Sequence, residues 1–134
     1  MTRTLPVAAC VLAATMAGLA FPAAESEAAT SKQKTIACPF LAQGGVTFDI
    51  PAKPDSLPAN IDFDYPAKAA HFSFRDGNLL LVAMDEGDPS RVRVVVSAQL
   101  NKKSRTYDGQ IFADMGGNQL MLHNGPVRCT VGTR

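Results

Sequence analysis

Apolar and polar residues alternate along most of the chain after residue 35, and this pattern restricts the fold more than any other feature. Segments 46–50, 61–65, 71–75 and 91–100 all show it. Successive side chains of a β-strand point to opposite faces of a sheet, so a period of two indicates half-buried strands. Beyond the first 24 residues no long segment has helical periodicity. About eight short strands therefore predict an all-β fold, either a small antiparallel β-sandwich or a β-barrel.

Two dipeptides in this pattern are typical of tight hairpin turns. Asp76-Gly77 and Asn124-Gly125 both tolerate the positive φ angles of a type I′ turn, so each predicts a hairpin between its flanking strands. Pro126 cannot donate to a ladder and favours an edge position. The segment 79–84 is apolar at every position, which predicts a central strand covered on both faces.

The first 24 residues have the pattern of a secretory signal peptide. Arg3 precedes an uncharged apolar run from Leu5 to Phe21, and small residues follow. A spanning helix needs roughly 20 apolar residues, so a cleaved signal is favoured over a retained anchor. We predict export to the periplasm or the extracellular space, a flexible mature N-terminus over 25–34, and one all-β domain over 35–134.

The cysteine count agrees with export. One of the three cysteines lies in the predicted signal, which leaves Cys38 and Cys129 for the mature chain. An even number in an exported domain predicts a disulfide bond. The alternatives are two free buried thiols or a metal pair, but two cysteines without CxxC spacing make a poor metal site. Both lie in the apolar row of their strands, where a buried bridge would form.

The charge balance argues against several classes of partner. Without Arg3, twelve basic residues stand against twelve acidic ones, and like charges form no long block. This predicts no nucleic-acid partner. After cleavage no long apolar run remains, so we expect no membrane-spanning segment, and no motif calls for a cofactor.

Three segments are candidates for a binding surface. The first is an acidic loop with Asp85, Glu86 and Asp88, for which turn chemistry is the competing explanation. The second is a basic patch near it in sequence, for which protection of an exposed strand edge is the alternative. The third is a proline-rich loop over 51–58, a type of loop that is often functional. The basic patch comprises Arg91 and Arg93, expected on one outward face, with Lys102, Lys103 and Arg105; the proline-rich loop contributes Pro54 and Asp55.

Catalytic and metal chemistry has weaker support. His71 and His123 are the only histidines, and either could act with a carboxylate as an acid–base or zinc group, but nothing in the sequence brings them together. Asp62 and Asp64 share a predicted outward face and could bind Ca²⁺, but a solvated strand face is the favoured explanation, because no calcium loop accompanies them. No GxSxG motif is present. We therefore predict no metal site and no catalytic residues.

These observations rank three functions. The first is an exported, disulfide-closed β-domain that binds or inhibits a protein or an envelope polymer. The second is a carrier of a small molecule or lipid, with an apolar lumen lined by phenylalanines. The third is a hydrolase that uses a histidine and a carboxylate. The phenylalanines that would line the lumen are Phe48, Phe63, Phe72 and Phe74.

Overall fold

The computed structural model describes residues 31–42 and 44–134, and these residues form strands, turns and loops without a helix. The predicted signal peptide and residues 25–30 lie outside the described residues. Within them no helix is long and apolar enough to cross a membrane. The eight strands are β1 (Lys34–Pro39), β2 (Gly45–Asp49), β3 (Ile61–Asp62), β4 (Ala67–Arg75), β5 (Asn78–Asp85), β6 (Val92–Asn101), β7 (Thr106–Asp114) and β8 (Leu122–Thr133).

The strands form one antiparallel sheet in the order β3-β2-β1-β8-β7-β6-β5-β4. The two outermost strands, β3 and β4, lie close together without pairing, so the sheet curls into a nearly closed barrel. This confirms the all-β prediction and selects the barrel. Because every neighbour is antiparallel, the turns fall at two opposite ends of the barrel.

The interior is filled by the apolar row of each strand. Phe48 of β2 is buried, and its ring meets the ring of Phe72 edge-on at a centroid distance of 5.9 Å. On β5 only one face is fully buried, since Leu80, Val82 and Met84 are partly exposed. The prediction that this strand is covered on both faces is therefore wrong. The largest fully buried apolar side chains besides Phe48 are Ile36, Val46, Leu79, Leu81, Val94, Val96 and Ile111.

One of the two predicted hairpins exists. Asp76 and Gly77 have φ angles of 55° and 74° and connect β4 to β5 as expected of a type I′ turn. At Asn124-Gly125 the prediction is wrong, because β8 continues straight through and Gly125 pairs with Ile111. A Cβ atom on Gly125 would lie 3.5 Å from the ring of Phe40, an ordinary contact distance, so Phe40 packs against this part of β8. The chain reverses earlier, over residues 115–121.

The predicted disulfide bond is present between Cys38 and Cys129. Strands β1 and β8 are neighbours, and the pair Ala37↔Thr130 places the two cysteines opposite each other in the next position of the ladder. Both sulfur-bearing side chains are buried. The bond thus ties the first strand of the barrel to the last.

Gly109 occupies the tightest backbone contact between β6 and β7. A Cβ atom there would lie 2.0 Å from the carbonyl oxygen of Ser97 and 2.5 Å from the Cα of Ala98, neither of which can rotate away. We expect Gly109→Ala to lower the free energy of unfolding by about 1–3 kcal/mol, the usual cost of overpacking. Gly117→Ala is the matched control, because nothing lies within 4 Å of its Cβ position. Equal midpoints in urea for the two variants would contradict the prediction.

Asp108 makes the stability of the barrel depend on pH. The Arg128 guanidinium on β8 donates to its carboxylate at 2.8 Å and, with Asn101 and Thr106, lowers the pKa of Asp108 to about 2. An aspartate in an unfolded chain has a pKa of about 3.9. The stabilisation is therefore complete above that value and is lost as the pH falls toward 2.

We expect Asp108→Asn to reduce the slope of stability against pH between about 4 and 2, and part of the remaining slope comes from Asp114, whose pKa is also lowered. Arg128→Gln should flatten it as well, since it removes the main cause of the lowered pKa. The measurement is urea unfolding at a series of pH values. A slope in this window as steep as that of the parent chain, in both variants, would show that Asp108 is not responsible.

Candidate binding surface

Arg93 is the first candidate residue that the structure places differently from the prediction. Ala83 pairs with Val94 while Met84 pairs with Val92, so Arg93 is the extra residue of a β-bulge. The bulge shifts the alternation by one position, and Arg93 turns inward, where only 4 % of it is exposed. The expected outward face shared by Arg91 and Arg93 is therefore wrong.

Inside the barrel end, Arg93 is bound from three sides. Its Nε donates to the Asp85 carboxylate at 2.6 Å, and its Nη1 donates to the carbonyl oxygens of Asp114 and Gly116. Its guanidinium carbon lies 4.5 Å from the centre of the Tyr65 ring, which is a cation–π contact. The hydrogen bond from Arg93 lowers the pKa of Asp85. These contacts join β5, β6 and β7 to each other and, through Tyr65, to the connection between β3 and β4.

Asp114 is the centre of this network and is completely buried. Its carboxylate accepts the Arg91 Nε at 2.6 Å and the backbone N–H groups of Gly116 and Met121, each at 3.0 Å. The Arg91 hydrogen bond holds the pKa of Asp114 far below its usual range, although burial alone would raise it. The carboxylate thus stays charged and fixes both ends of the loop that follows.

Arg91 holds the same loop from the other side. Its two Nη atoms donate to the carbonyl oxygens of Gly116, Gly117 and Gln119, while its Nε is occupied by Asp114. The backbone N–H groups of the loop thus donate to the Asp114 carboxylate, and its backbone carbonyls accept from the Arg91 guanidinium. We call residues 115–122 the clamped loop.

The clamped loop presents apolar side chains to solvent. Leu120, Met121 and Leu122 are 67 %, 56 % and 54 % exposed, and Leu41, at 55 %, is the one other large apolar residue of the described part that is more than half exposed. A shallow groove of about 480 Å³ lies beside them, lined in part by Val92 and Phe112. Half-exposed Val82 and Val95 continue the apolar face across the barrel wall, since Val82 pairs with Val95 and Val95 with Phe112.

The acidic loop is held mainly by its own turns. The Asp85 carboxylate accepts hydrogen bonds from the N–H groups of Gly87 and Asp88. The Asp88 carboxylate accepts hydrogen bonds from the backbone N–H and the hydroxyl of Ser90. The bonds from Ser90 lower the pKa of Asp88. Glu86 is exposed, and its backbone N–H donates to Pro66. A binding role for this loop stays a prediction.

The proline-rich loop covers the wall beside β4. Pro54 and Asp55 border a recess of about 130 Å³ that is also lined by Phe72 and Phe74. Asp55 lies 3.8 Å from Arg75 in an exposed ion pair. Ligand pockets for small molecules usually have about 300–1,000 Å³, so the recess is small for a carrier. The rings of Phe72 and Phe74 stack at 6.4 Å and fill space that the carrier hypothesis would require to be open.

The two histidines do not meet. His71 is on β4 and His123 on β8, and three strands separate them in the sheet. No group of three or more His, Cys, Asp or Glu side chains that could hold a metal ion occurs in the described part of the chain. Asp62 and Asp64 are both exposed, and Asp62 forms a loose ion pair with Arg134 at 3.8 Å. These positions bring together no catalytic or metal constellation.

The predicted basic patch is divided between the two ends of the barrel. Arg91 and Arg93 lie where β6 begins, whereas Lys102, Lys103 and Arg105 lie in the turn where it ends.

The apolar surface of the clamped loop was not predicted from the sequence, because these residues were assigned to a hairpin strand. The available signal was Gly116-Gly117-Asn118, because apolar residues directly after such a turn are exposed more readily than residues inside a strand.

The fold and this surface define a small disulfide-closed β-barrel domain with a rigid apolar loop at one end. No protein-family model, no curated protein and no solved structure matches the chain. Its function has to be inferred from the geometry of these residues.

Proposed function

We propose that this domain is an exported, non-catalytic module that binds a partner protein through the clamped loop and the groove beside it. The observation that carries the proposal is the exposure of Leu120, Met121 and Leu122 on a loop whose backbone is fixed by Arg91 and Asp114. Contiguous apolar surface on a soluble domain typically marks an interaction site.

The loop is fixed by hydrogen bonds, and this favours a binding role over accidental exposure of its apolar side chains. A flexible loop loses conformational entropy when it docks, whereas a loop ordered beforehand avoids most of that cost. The clamped loop is ordered by hydrogen bonds to a buried carboxylate and a largely buried guanidinium. Three apolar side chains in sequence can then enter a partner's pocket while Phe112 and Val92 accept a side chain in return.

Export remains part of the proposal and has two supports. The sequence begins with the pattern of a signal peptide. The disulfide bond between Cys38 and Cys129 is compatible with an oxidising compartment, where such bonds persist. The partner would accordingly be an exported or envelope protein.

The test uses a photo-crosslinking amino acid at position 121 of the full chain in its native host, with position 57 as the matched control. Leu57 is also an exposed apolar residue, at 46 %, but it lies in the loop at the other end of the barrel. We expect irradiation to trap a discrete protein from position 121 and not from position 57. Trapping from position 57 alone would contradict the proposal.

The trapped protein is then purified and its affinity is measured with three variants. Leu120→Ser and Leu122→Ser should each weaken binding by about tenfold or more, because a buried leucine contributes about 1.5–3 kcal/mol. Leu57→Ser should leave the affinity unchanged. Equal affinities for all variants, with unchanged unfolding midpoints, would place the contact elsewhere on the barrel.

A further inference from the structure

The end of the barrel opposite the clamped loop carries an excess of exposed positive charge. Four segments meet there: the start of β1, the loop after β2, the β4–β5 turn and the β6–β7 turn. Among the described residues, seven exposed cations belong to these segments: Lys32, Lys34, Lys53, Arg75, Lys102, Lys103 and Arg105. We call this surface the basic end.

Two backbone hydrogen bonds and one ion pair join the four segments into one continuous surface. The N–H of Leu100 donates to the carbonyl of Gly77 at 2.7 Å, which links the two hairpin turns. The N–H of Ile50 donates to Lys34 at 2.8 Å and links the loop after β2 to the start of β1. Arg75 reaches Asp55 at 3.8 Å and connects the β4–β5 turn to the same loop.

Carboxylates are outnumbered by cations at the basic end, and other exposed carboxylates lie at the opposite end. Asp108 is paired with Arg128 and Asp55 with Arg75, and the same end also holds Asp49 and the exposed Asp76. Exposed Asp64, Glu86 and Asp88 all lie near the clamped loop end, beyond β3 and between β5 and β6. The charges of a nearly neutral chain are thus separated along the barrel axis.

Two exposed leucines lie among the cations. Leu57 is 46 % exposed in the loop after β2, and Leu100 is 38 % exposed where β6 ends, directly before the turn that carries Lys102 and Lys103. Cations around a few projecting apolar side chains are typical of surfaces that lie at a membrane interface, where lysines contact headgroups and leucines enter the acyl boundary.

We propose that the basic end docks the domain peripherally on an anionic lipid surface. The cations are spread over four segments and do not converge on a single pocket, which suits an array of headgroups better than one small anion. The exposed leucines favour a bilayer over a soluble polyanion, which offers no apolar phase. The clamped loop, at the opposite end, remains free for a protein partner. This inference rests on other residues than the proposed function and can fail independently of it.

The test is co-sedimentation of the purified domain with vesicles of equal parts phosphatidylglycerol and phosphatidylcholine, compared with vesicles of phosphatidylcholine alone. We expect binding only to the anionic vesicles, and binding that weakens as salt is added. Each exposed basic residue contributes about a fivefold gain in partitioning, so the triple variant K102Q/K103Q/R105Q should lose on the order of a hundredfold. Lys68→Gln is the single-charge control, because Lys68 is exposed near the start of β4, at the other end.

The contribution of the leucines separates a bilayer from a soluble polyanion. Leu100→Ser should reduce vesicle binding severalfold and leave retention on immobilised heparin unchanged. Retention on heparin without any vesicle binding would overturn the proposal in favour of an anionic polymer. Equal loss from Lys68→Gln and Lys103→Gln would overturn it as well, because the effect would then reflect net charge only. Unfolding midpoints of the charge variants should match the parent, since their side chains are exposed. Leu100 is only 38 % exposed, so vesicle binding of Leu100→Ser is measured under conditions in which its own unfolding curve shows it folded.

Discussion

Replacing Asp114 with asparagine is expected to lower the free energy of unfolding by about 3–5 kcal/mol, the cost of removing one partner from a buried ion pair. The substitution preserves shape but leaves Arg91 without the charge that balances it and Arg93 with Asp85 alone. The Arg91 Nε is 2.6 Å from the Asp114 carboxylate, and the Arg93 Nη1 is 3.6 Å from it. An amide in the same place also turns one acceptor into a donor that faces guanidinium N–H groups.

Urea unfolding with the disulfide intact measures this loss. Asp62→Asn is the matched control, because Asp62 is also paired with an arginine, but the side chain is 78 % exposed. An exposed pair contributes about 0–1 kcal/mol, so this variant should unfold close to the parent. Similar losses in the two variants would mean that burial does not amplify the Asp114 interaction.

The same substitution connects stability to the proposed function. With Asp114 neutral, the amides of Gly116 and Met121 lose their charged acceptor, and the clamped loop loses part of its order. Binding of a partner would then weaken through the entropy of ordering the loop, even though none of the three contacting side chains changes. Loop order is measurable by hydrogen exchange at the Met121 amide, which should be slow in the parent and fast in Asp114→Asn.

Local patterns in the sequence predicted much of the barrel. Alternation is a local property, and it identified the inward rows that contain Val94, Val96 and both bridged cysteines. The Asp76-Gly77 turn was predictable because its backbone geometry is determined by two adjacent residues. In each of these cases the determining interaction lies within a few residues of the chain.

The misassigned features depend on contacts that are distant in sequence. The bulge that turns Arg93 inward is a mismatch between β5 and β6, and no pattern within β6 alone reveals it. Asn124-Gly125 is compatible with a turn, but its pairing with Phe112 and Ile111 of β7 keeps it in an extended strand. The clamped loop depends on Arg91, more than twenty residues away. Such features require knowledge of the register.

The second large effect is expected from loss of the Cys38–Cys129 bond. The bond spans a separation of 91 residues, and closing a loop of that length stabilises the folded state by about 4–5 kcal/mol in the chain-entropy model. Removing a native bond from a small exported domain typically costs about 2–5 kcal/mol. We therefore expect the double variant Cys38→Ala, Cys129→Ala to be among the least stable forms of the domain, and in a denaturant series its midpoint should fall accordingly.

Reductant provides the control for this variant. Dithiothreitol should shift the midpoint of the parent chain toward that of the double variant and leave the double variant itself unmoved. The two large effects also differ in mechanism, because the disulfide restricts the unfolded chain whereas Asp114 acts within the folded one. Loss of the bond should raise the denaturant m-value, since the unfolded chain expands and exposes more surface, and Asp114→Asn should leave it unchanged. An unchanged m-value in the cysteine variant would indicate that the bond stabilises the barrel through packing between β1 and β8.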